Sequence, residues 1–172
     1  LNNMDFQLML NPHVVQTVSN LSAGTNSTIR GYGDVVTRLK VNIWGNDGGD
    51  TAFAVMPFAK FPTNQSGLGN NSLEGGVIFP LAIALSDKAG LGLMSEFDTM
   101  LNSSGIGHHI EYVNSITISY DFTDQLGAYT EVFTAISAED PAAWVGMFDM
   151  GATYALADDI QLDLGVNLGF TP

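Results

Sequence analysis

The chain has 172 residues, 45% of them hydrophobic and only 13% Asp, Glu, Lys or Arg, well under the roughly 25% charged residues of soluble domains. Its 18 acidic and 5 basic residues leave a formal net charge of -13, which argues against a nucleic-acid binder, because phosphates need Lys and Arg. With no cysteine, neither a disulfide nor a thiolate metal site can form.

No transmembrane helix is expected. The longest apolar run, 77–85, contains Pro80 and falls far short of the ~20 residues a spanning helix needs. The opening "LNNMDFQLML" lacks a basic start and a small-residue cleavage site. It reads as the middle of a strand, so a preceding segment is expected.

Alternation of apolar and polar residues recurs along the chain in about nine segments, and no stretch has a helical period. In chain order they cover 4–18, 32–44, 50–61, 74–86, 89–100, 110–122, 125–137, 143–156 and 159–170. Most are roughly 11 to 15 residues long, against about 5–6 for globular strands. A tilted strand crossing a bilayer needs ~9–11 residues in hydrocarbon alone. The connections also alternate in length. "GNDGG" (45–49), "SDKAG" (86–90), "FTDQ" (122–125) and "LADD" (156–159) are tight, whereas 19–31, 62–73, 101–109 and, less clearly, 138–142 are longer and rich in Gly, Asn, Ser or Pro. Short turns on one side and long loops on the other are the habit of outer-membrane barrels.

Polarity then assigns the faces. In "DDIQLDLGVNLGF" (158–170), Ile160, Leu162, Leu164, Val166, Leu168 and Phe170 alternate with Asp159, Gln161, Asp163, Gly165, Asn167 and Gly169. Comparable apolar rows are Val77, Phe79, Leu81, Ile83, Leu85, then Ile116, Ile118, Tyr120, Phe122, then Phe148, Met150, Ala152, Tyr154, Leu156. A soluble barrel with these rows inside would coat its outside with Lys and Glu; here the second face holds Gly, Asn, Thr, Ser and isolated charges. The apolar rows are therefore expected to face lipid. Tyr112, Tyr120, Phe122, Trp144 and Tyr154 fall near strand ends, where interfacial aromatic girdles sit. The expected fold class is all-β, a transmembrane antiparallel up-and-down β-barrel, as one domain over residues 1–172. With short turns in the periplasm the last strand runs outward, so at least one more strand is expected beyond this sequence.

The segments "GYGDVVTRLKVNIWGNDGG" (31–49), "TAFAVMPFAKFPT" (51–63), "YTEVFTAIS" (129–137) and "LADDIQLDLGVNLGF" (156–170) resemble the meta-pathway phenol-degradation family of bacterial outer-membrane β-barrel transporters. The GxGD-to-K strand, the K-x-P-T strand end and the D-x-Q-L-D-x-G-x-N strand come in the family's order, and the likeness covers about residues 3–172. It implies roughly twelve strands in the natural barrel, about two of them upstream, and a final aromatic-terminated strand not present here. It brings no catalytic residues with it, and a word in a family's name does not fix a substrate.

Inward-facing candidates for the lumen are Arg38, Lys40 and Lys60 on two neighbouring strands, and Glu96, Asp98, Glu111, Glu131, Asp149, Asp163 and Asn167 on later ones. Counting from the short-turn end puts Arg38, Glu96, Glu131 and Asp149 at similar heights. A basic stripe facing an acidic wall would orient polar or cationic solutes; the alternative is that these charges pair and plug the barrel. His108 and His109, beside Glu111, are the only metal candidates, with geometry against them because adjacent strand residues point opposite ways; His13 stands alone. Glu139 and Asp140 could bind cations bridging lipopolysaccharide, although plain solvation also accounts for them. The sequons at Asn20, Asn26, Asn64, Asn70 and Asn102 read as Asn/Ser-rich loops, and "GIG" (105–107) and "GLG" (67–69) join no strand to a helix, so they are not phosphate cradles. No catalytic base and nucleophile are evident; His108 or His109 near Ser103 and Ser104 is the one combination available. The sequence thus points to a non-enzymatic outer-membrane channel for small solutes, with hydrophobic or aromatic compounds among the candidates, with no cofactor and with outer-membrane lipids, lipopolysaccharide and solutes as partners. Rival readings are a plugged structural barrel and a soluble lipocalin-like binding barrel.

Overall fold

A computed structural model describes residues 3–20, 25–139, 141, 144–157 and 159–171. Nine strands form one antiparallel sheet: β1 (Met4–Met9), β4 (Val35–Trp44), β5 (Thr51–Phe61), β6 (Glu74–Ala84), β7 (Ala89–Leu101), β8 (His108–Asp121), β9 (Leu126–Ser137), β10 (Trp144–Ala157) and β11 (Ile160–Gly169). Each strand pairs with its neighbours in this order, and β1 and β11 are the two edges, so these strands do not close into a cylinder. A separate hairpin, β2 (Val14–Asn20) with β3 (Thr25–Gly31), stands between β1 and β4 at the long-loop end. The described residues contain no helix.

Eight of the nine expected strands lie where alternation places them; the segment 4–18 does not hold as one strand. It breaks at residues 10–13, where Pro12 lacks an N–H for the ladder. There the Asn11 carbonyl accepts from Gly33 N at 2.9 Å, and Asn11 Nδ2 donates to the Asp34 carbonyl at 3.3 Å. Half of the expected loop 19–31 is the strand β3, paired with β2 from Val14↔Gly31 to Asn20↔Thr25. Its sequence TNSTIRG has no apolar face to betray it, because this hairpin projects beyond the sheet. Its cross-strand contacts are polar, as between the hydroxyls of Thr17 and Thr28 at 3.1 Å.

Register transmits a single choice of face through the whole sheet, since antiparallel partners point the same way. Following the pairs from Asp5↔Lys40 to Asp149↔Asn167, every Asp, Glu, Lys and Arg of the nine strands falls on one face. Asp5, Arg38, Lys40, Lys60, Glu74, Glu96, Asp98, Glu111, Asp121, Glu131, Asp149 and Asp163 all belong to it. The buried side chains Ala54, Met56, Ile78, Val113, Glu74, Asp98 and Ser115 are on that same face, which marks it as the concave side of a curled sheet. The opposite face carries the apolar rows and is left uncovered: Leu162, Leu164 and Val166 are 56%, 80% and 55% exposed. They do not converge on a dry centre.

Packing on the concave face uses glycines as slots for aromatic rings. Tyr129 on β9 pairs with Gly151 on β10, which pairs in turn with Gly165 on β11. The Tyr129 ring lies across both, so that a Cβ on Gly151 would meet Cζ at 2.5 Å and one on Gly165 would meet the hydroxyl oxygen at 3.0 Å. The hydroxyl continues over the slot to donate to Asp163 Oδ1 at 3.2 Å. Ring over glycine covers backbone that a bare Gly leaves open and pins the register of three strands. Replacing Gly151 with Val should expel the ring and destabilise the sheet by about 1–3 kcal/mol, the usual cost of overpacking. Urea unfolding in detergent would measure it, and Gly169→Val, where a Cβ meets nothing within 4 Å, should cost far less.

Candidate functional site

The concave face is the candidate site, because it gathers all the lumen candidates the sequence offers: Arg38, Lys40, Lys60, Glu96, Asp98, Glu111, Glu131, Asp149, Asp163 and Asn167. Hydrogen-bonded rows arrange them differently from a simple count along the strands. Arg38 shares a row with Phe58, Gly76, Asp98 and Glu111. Glu131 and Asp149 are direct cross-strand partners, with Asn167 beside Asp149 and Thr117 on the other side of Glu131. Glu96 lies two residues from Asp98 on the same strand, opposite Val113.

Two carboxylate groups therefore form on this face, Glu96–Asp98–Glu111 on β7 and β8 and Glu131–Asp149–Asp163 on β9 to β11. Neither has an ion-pair partner within 4 Å among the described residues, and Arg38 and Lys40 have none either. Buried atoms of Arg38 (Nε), Asp98 (Oδ1) and Asp149 (Oδ1) make no hydrogen bond to protein. Orphaned polar atoms of this kind require water or solute as partners.

Lys60 behaves otherwise. Its ammonium lies 2.7 Å from Glu74 Oε2 and 3.7 Å from Asp34 Oδ2, with the two carboxylates 1% and 4% exposed. Glu74 Oε1 also accepts from Asn70 Nδ2 at 2.7 Å and Leu101 N at 3.0 Å. Asp34 Oδ1 accepts from Asn64 N at 3.0 Å and Asn64 Nδ2 at 2.8 Å, and Val35 N donates to Thr63 Oγ1 at 2.9 Å. The G-x-G-D stretch (31–34) and the K-x-P-T stretch (60–63) thus meet in one rim network that straps the 62–73 loop to the sheet. Lys60 is neutralised there and adds little to any field across the face. Asp34, Asn64, Asn70 and Glu74 escaped the sequence reading as a unit, though Asn residues clustered beside a lone Lys–Glu pair were a visible signal.

His108 and His109 open β8 and are not in a loop, so their rings diverge. His108 Nε2 sits 3.0 Å from Ser72 Oγ. His109 Nδ1 sits 3.0 Å from Asn102 Oδ1 and 3.8 Å from Glu139 Oε2. Neither histidine meets Ser103 or Ser104 in these contacts; Ser103 instead donates through N (2.9 Å) and Oγ (2.8 Å) to Glu139 Oε1. The two rings bring the 62–73 and 102–107 connections and Glu139 together at this end of the sheet. Among the described residues no three His, Asp or Glu side chains gather as metal ligands. His13 is exposed; Asp140 lies outside the described residues.

The family model described as "Putative MetA-pathway of phenol degradation" matches residues 2–172, so the chain belongs to that family. No curated protein matches it.

Two outcomes follow from the rim. Lys60→Met strands the buried Glu74 and should destabilise the sheet by about 2 kcal/mol in urea unfolding, less than the 3–5 typical of broken buried pairs. The shortfall arises because Lys60 is 27% exposed and Glu74 keeps two other donors. The hydrogen bonds from the Ser103 hydroxyl and amide hold the Glu139 carboxyl below its ordinary 4.5. A depressed carboxyl stabilises the fold fully above its unfolded pKa, and the contribution is lost as pH falls through the folded value. The Ser103 amide shift in NMR should therefore show an acid transition below about 4.5, and Glu139→Gln should abolish it.

Proposed function

We propose that this chain is the wall of a bacterial outer-membrane β-barrel through which small solutes diffuse along the concave face. The supporting observation is the segregation of charge. Nine strands put every one of their Asp, Glu, Lys and Arg residues on one side, and the other side carries the exposed apolar rows. A water-exposed apolar face of this extent would drive aggregation, whereas in hydrocarbon it is the favoured surface, with the strand ladder satisfying the backbone.

Aromatic placement fits the thickness of a membrane. On the apolar face of β10, Trp144 and Tyr154 stand about 33 Å apart along the strand at 3.3 Å per residue. A tilt of about 40° reduces that to about 25 Å vertically, the height of the apolar band between aromatic girdles. Near the short turns Trp44 stacks on Phe53 with ring centroids 4.8 Å apart, and Tyr120 meets Phe122 at 5.3 Å. Toward the long loops Phe97 meets Tyr112 at 4.7 Å and Trp144 meets Phe170 at 6.1 Å. The orphaned polar atoms of Arg38, Asp98 and Asp149 favour a water-filled lumen over a plugged one. No step of this reading is catalytic, and none calls for a cofactor.

Leu164→Arg discriminates the reading from a soluble barrel. Facing water, so exposed a residue would tolerate Arg at almost no cost; facing lipid, it should lose about 2–4 kcal/mol of stability in bilayers. Liposomes carrying the full chain should swell in small neutral solutes. Protein that stays soluble without detergent, or liposomes no more permeable than protein-free ones, would sink the proposal.

A further inference from the structure

The one cluster of buried apolar side chains among the described residues, Ala54, Met56 and Ile78 with Phe58 and Met94 packed on it, lies on the concave, charged face. Beside it runs an open slot of about 270 Å³. Its floor is made of small side chains, Ala52, Ala82 and Gly92, with Ala54, Pro80 and Met94 along one wall. These belong to successive strands, joined in register by Ala52↔Ala82, Ala82↔Gly92 and Pro80↔Met94. The floor is flat because no side chain beyond Cβ rises from its central row.

The two ends differ in chemistry. At the β4 end stands Lys40, whose cross-strand neighbour on the same face, Asp5, makes no ion pair with it within 4 Å. Asn42 is beside it, but its Nδ2 is already given to Asn46 Oδ1 at 2.8 Å. Lys40 is thus the cation of this end, and its ammonium has no protein acceptor among the described residues. At the β8 end are the hydroxyls of Ser115 and Thr117, and beyond Thr117 the row continues to Glu131 and Asp149. From β4 to β8 the slot crosses about 19 Å at ~4.8 Å per strand.

We infer that this slot is a binding site for a one-ring monoanion, its ring flat on the Ala52–Ala82–Gly92 floor and its anionic oxygen on Lys40 Nζ. The inference rests on the concave face being the lumen and adds to it the place where a solute is held and the charge it carries. The volume suits the ligand: a cavity of about 150 Å³ is enough to hold benzene, so the slot has room for a ring with a carboxylate. Lys40 supplies a charge-assisted hydrogen bond that a neutral analogue would not match. The Glu131–Asp149 pair beyond the far end repels an anionic oxygen placed there, which favours the Lys40 end and sets the ligand's direction. Arg38, one inward position from Lys40 on β4, adds positive potential at the same end, while Lys60 is spent on the rim.

The experiment is calorimetric titration of the full chain in detergent with benzoate, benzyl alcohol and benzylamine. Benzoate should bind saturably and benzyl alcohol more weakly, with benzylamine last. Lys40→Gln should weaken benzoate by about tenfold or more and leave benzyl alcohol nearly unchanged. Ala82→Phe, at an exposed floor position, should block all three ligands, and Lys88→Gln at a turn should alter none. Equal binding of benzylamine and benzoate, undiminished benzoate binding by Lys40→Gln, or no saturable binding by a chain that still unfolds cooperatively would overturn the inference. Because binding is read in detergent and the Leu164→Arg penalty in bilayers, failure of the slot and failure of the membrane reading are separately visible.

Discussion

One constraint organises this protein: the two-residue period of a β-strand, locked between strands by the hydrogen-bond ladder. Once Asp149 is paired with Asn167 and with Glu131, every other residue of those strands is assigned to a side. The ladder repeats the assignment across nine strands. A one-residue slip anywhere would send carboxylates to the apolar side and Leu or Ile to the charged one. The composition is the residue-level expression of that constraint. The few charges of the strands all fall on one face.

Register then needs physical locks, and two kinds are present. On the concave side Tyr129 across Gly151 and Gly165 fixes three strands by shape, since no other pairing puts a ring over two adjacent glycines. At the rim Lys60, Glu74, Asp34, Asn64 and Asn70 fix strand ends to a loop by charge and hydrogen bonding. This division leaves Arg38, Lys40 and the carboxylates of β7 to β11 without an ion-pair partner among the described residues, and those groups are the ones available to a solute in the proposed lumen. Lys60 and Lys40 lie on neighbouring strands of one face, yet one is structural and the other is open.

The legible part of the fold was the part with two contrasting faces. Strands such as 159–170 declare themselves because Leu162, Leu164 and Val166 alternate with Asp163, Gly165 and Asn167, and β11 lies there. The hairpin strand β3 was illegible for the complementary reason. Thr25, Asn26, Ser27 and Thr28 are polar in succession, and a strand wet on both sides leaves no periodic trace. The charged face was readable residue by residue, but which charges meet was not. Glu74, the partner that neutralises Lys60, sits 14 residues away behind a long loop, and loop geometry is not written in periodicity.

The sequence by itself determined that the chain is β throughout, where most strands lie, which side of each is charged, and, through its motifs, the family, because these depend on local alternation and on short runs of residues. The tertiary structure alone decided that the charged face is the concave one, that Lys60 is paired and Lys40 is not, and that small side chains from β5, β6 and β7 line up as a floor. Those facts depend on register and curvature, which join residues tens of positions apart and set how closely their side chains crowd.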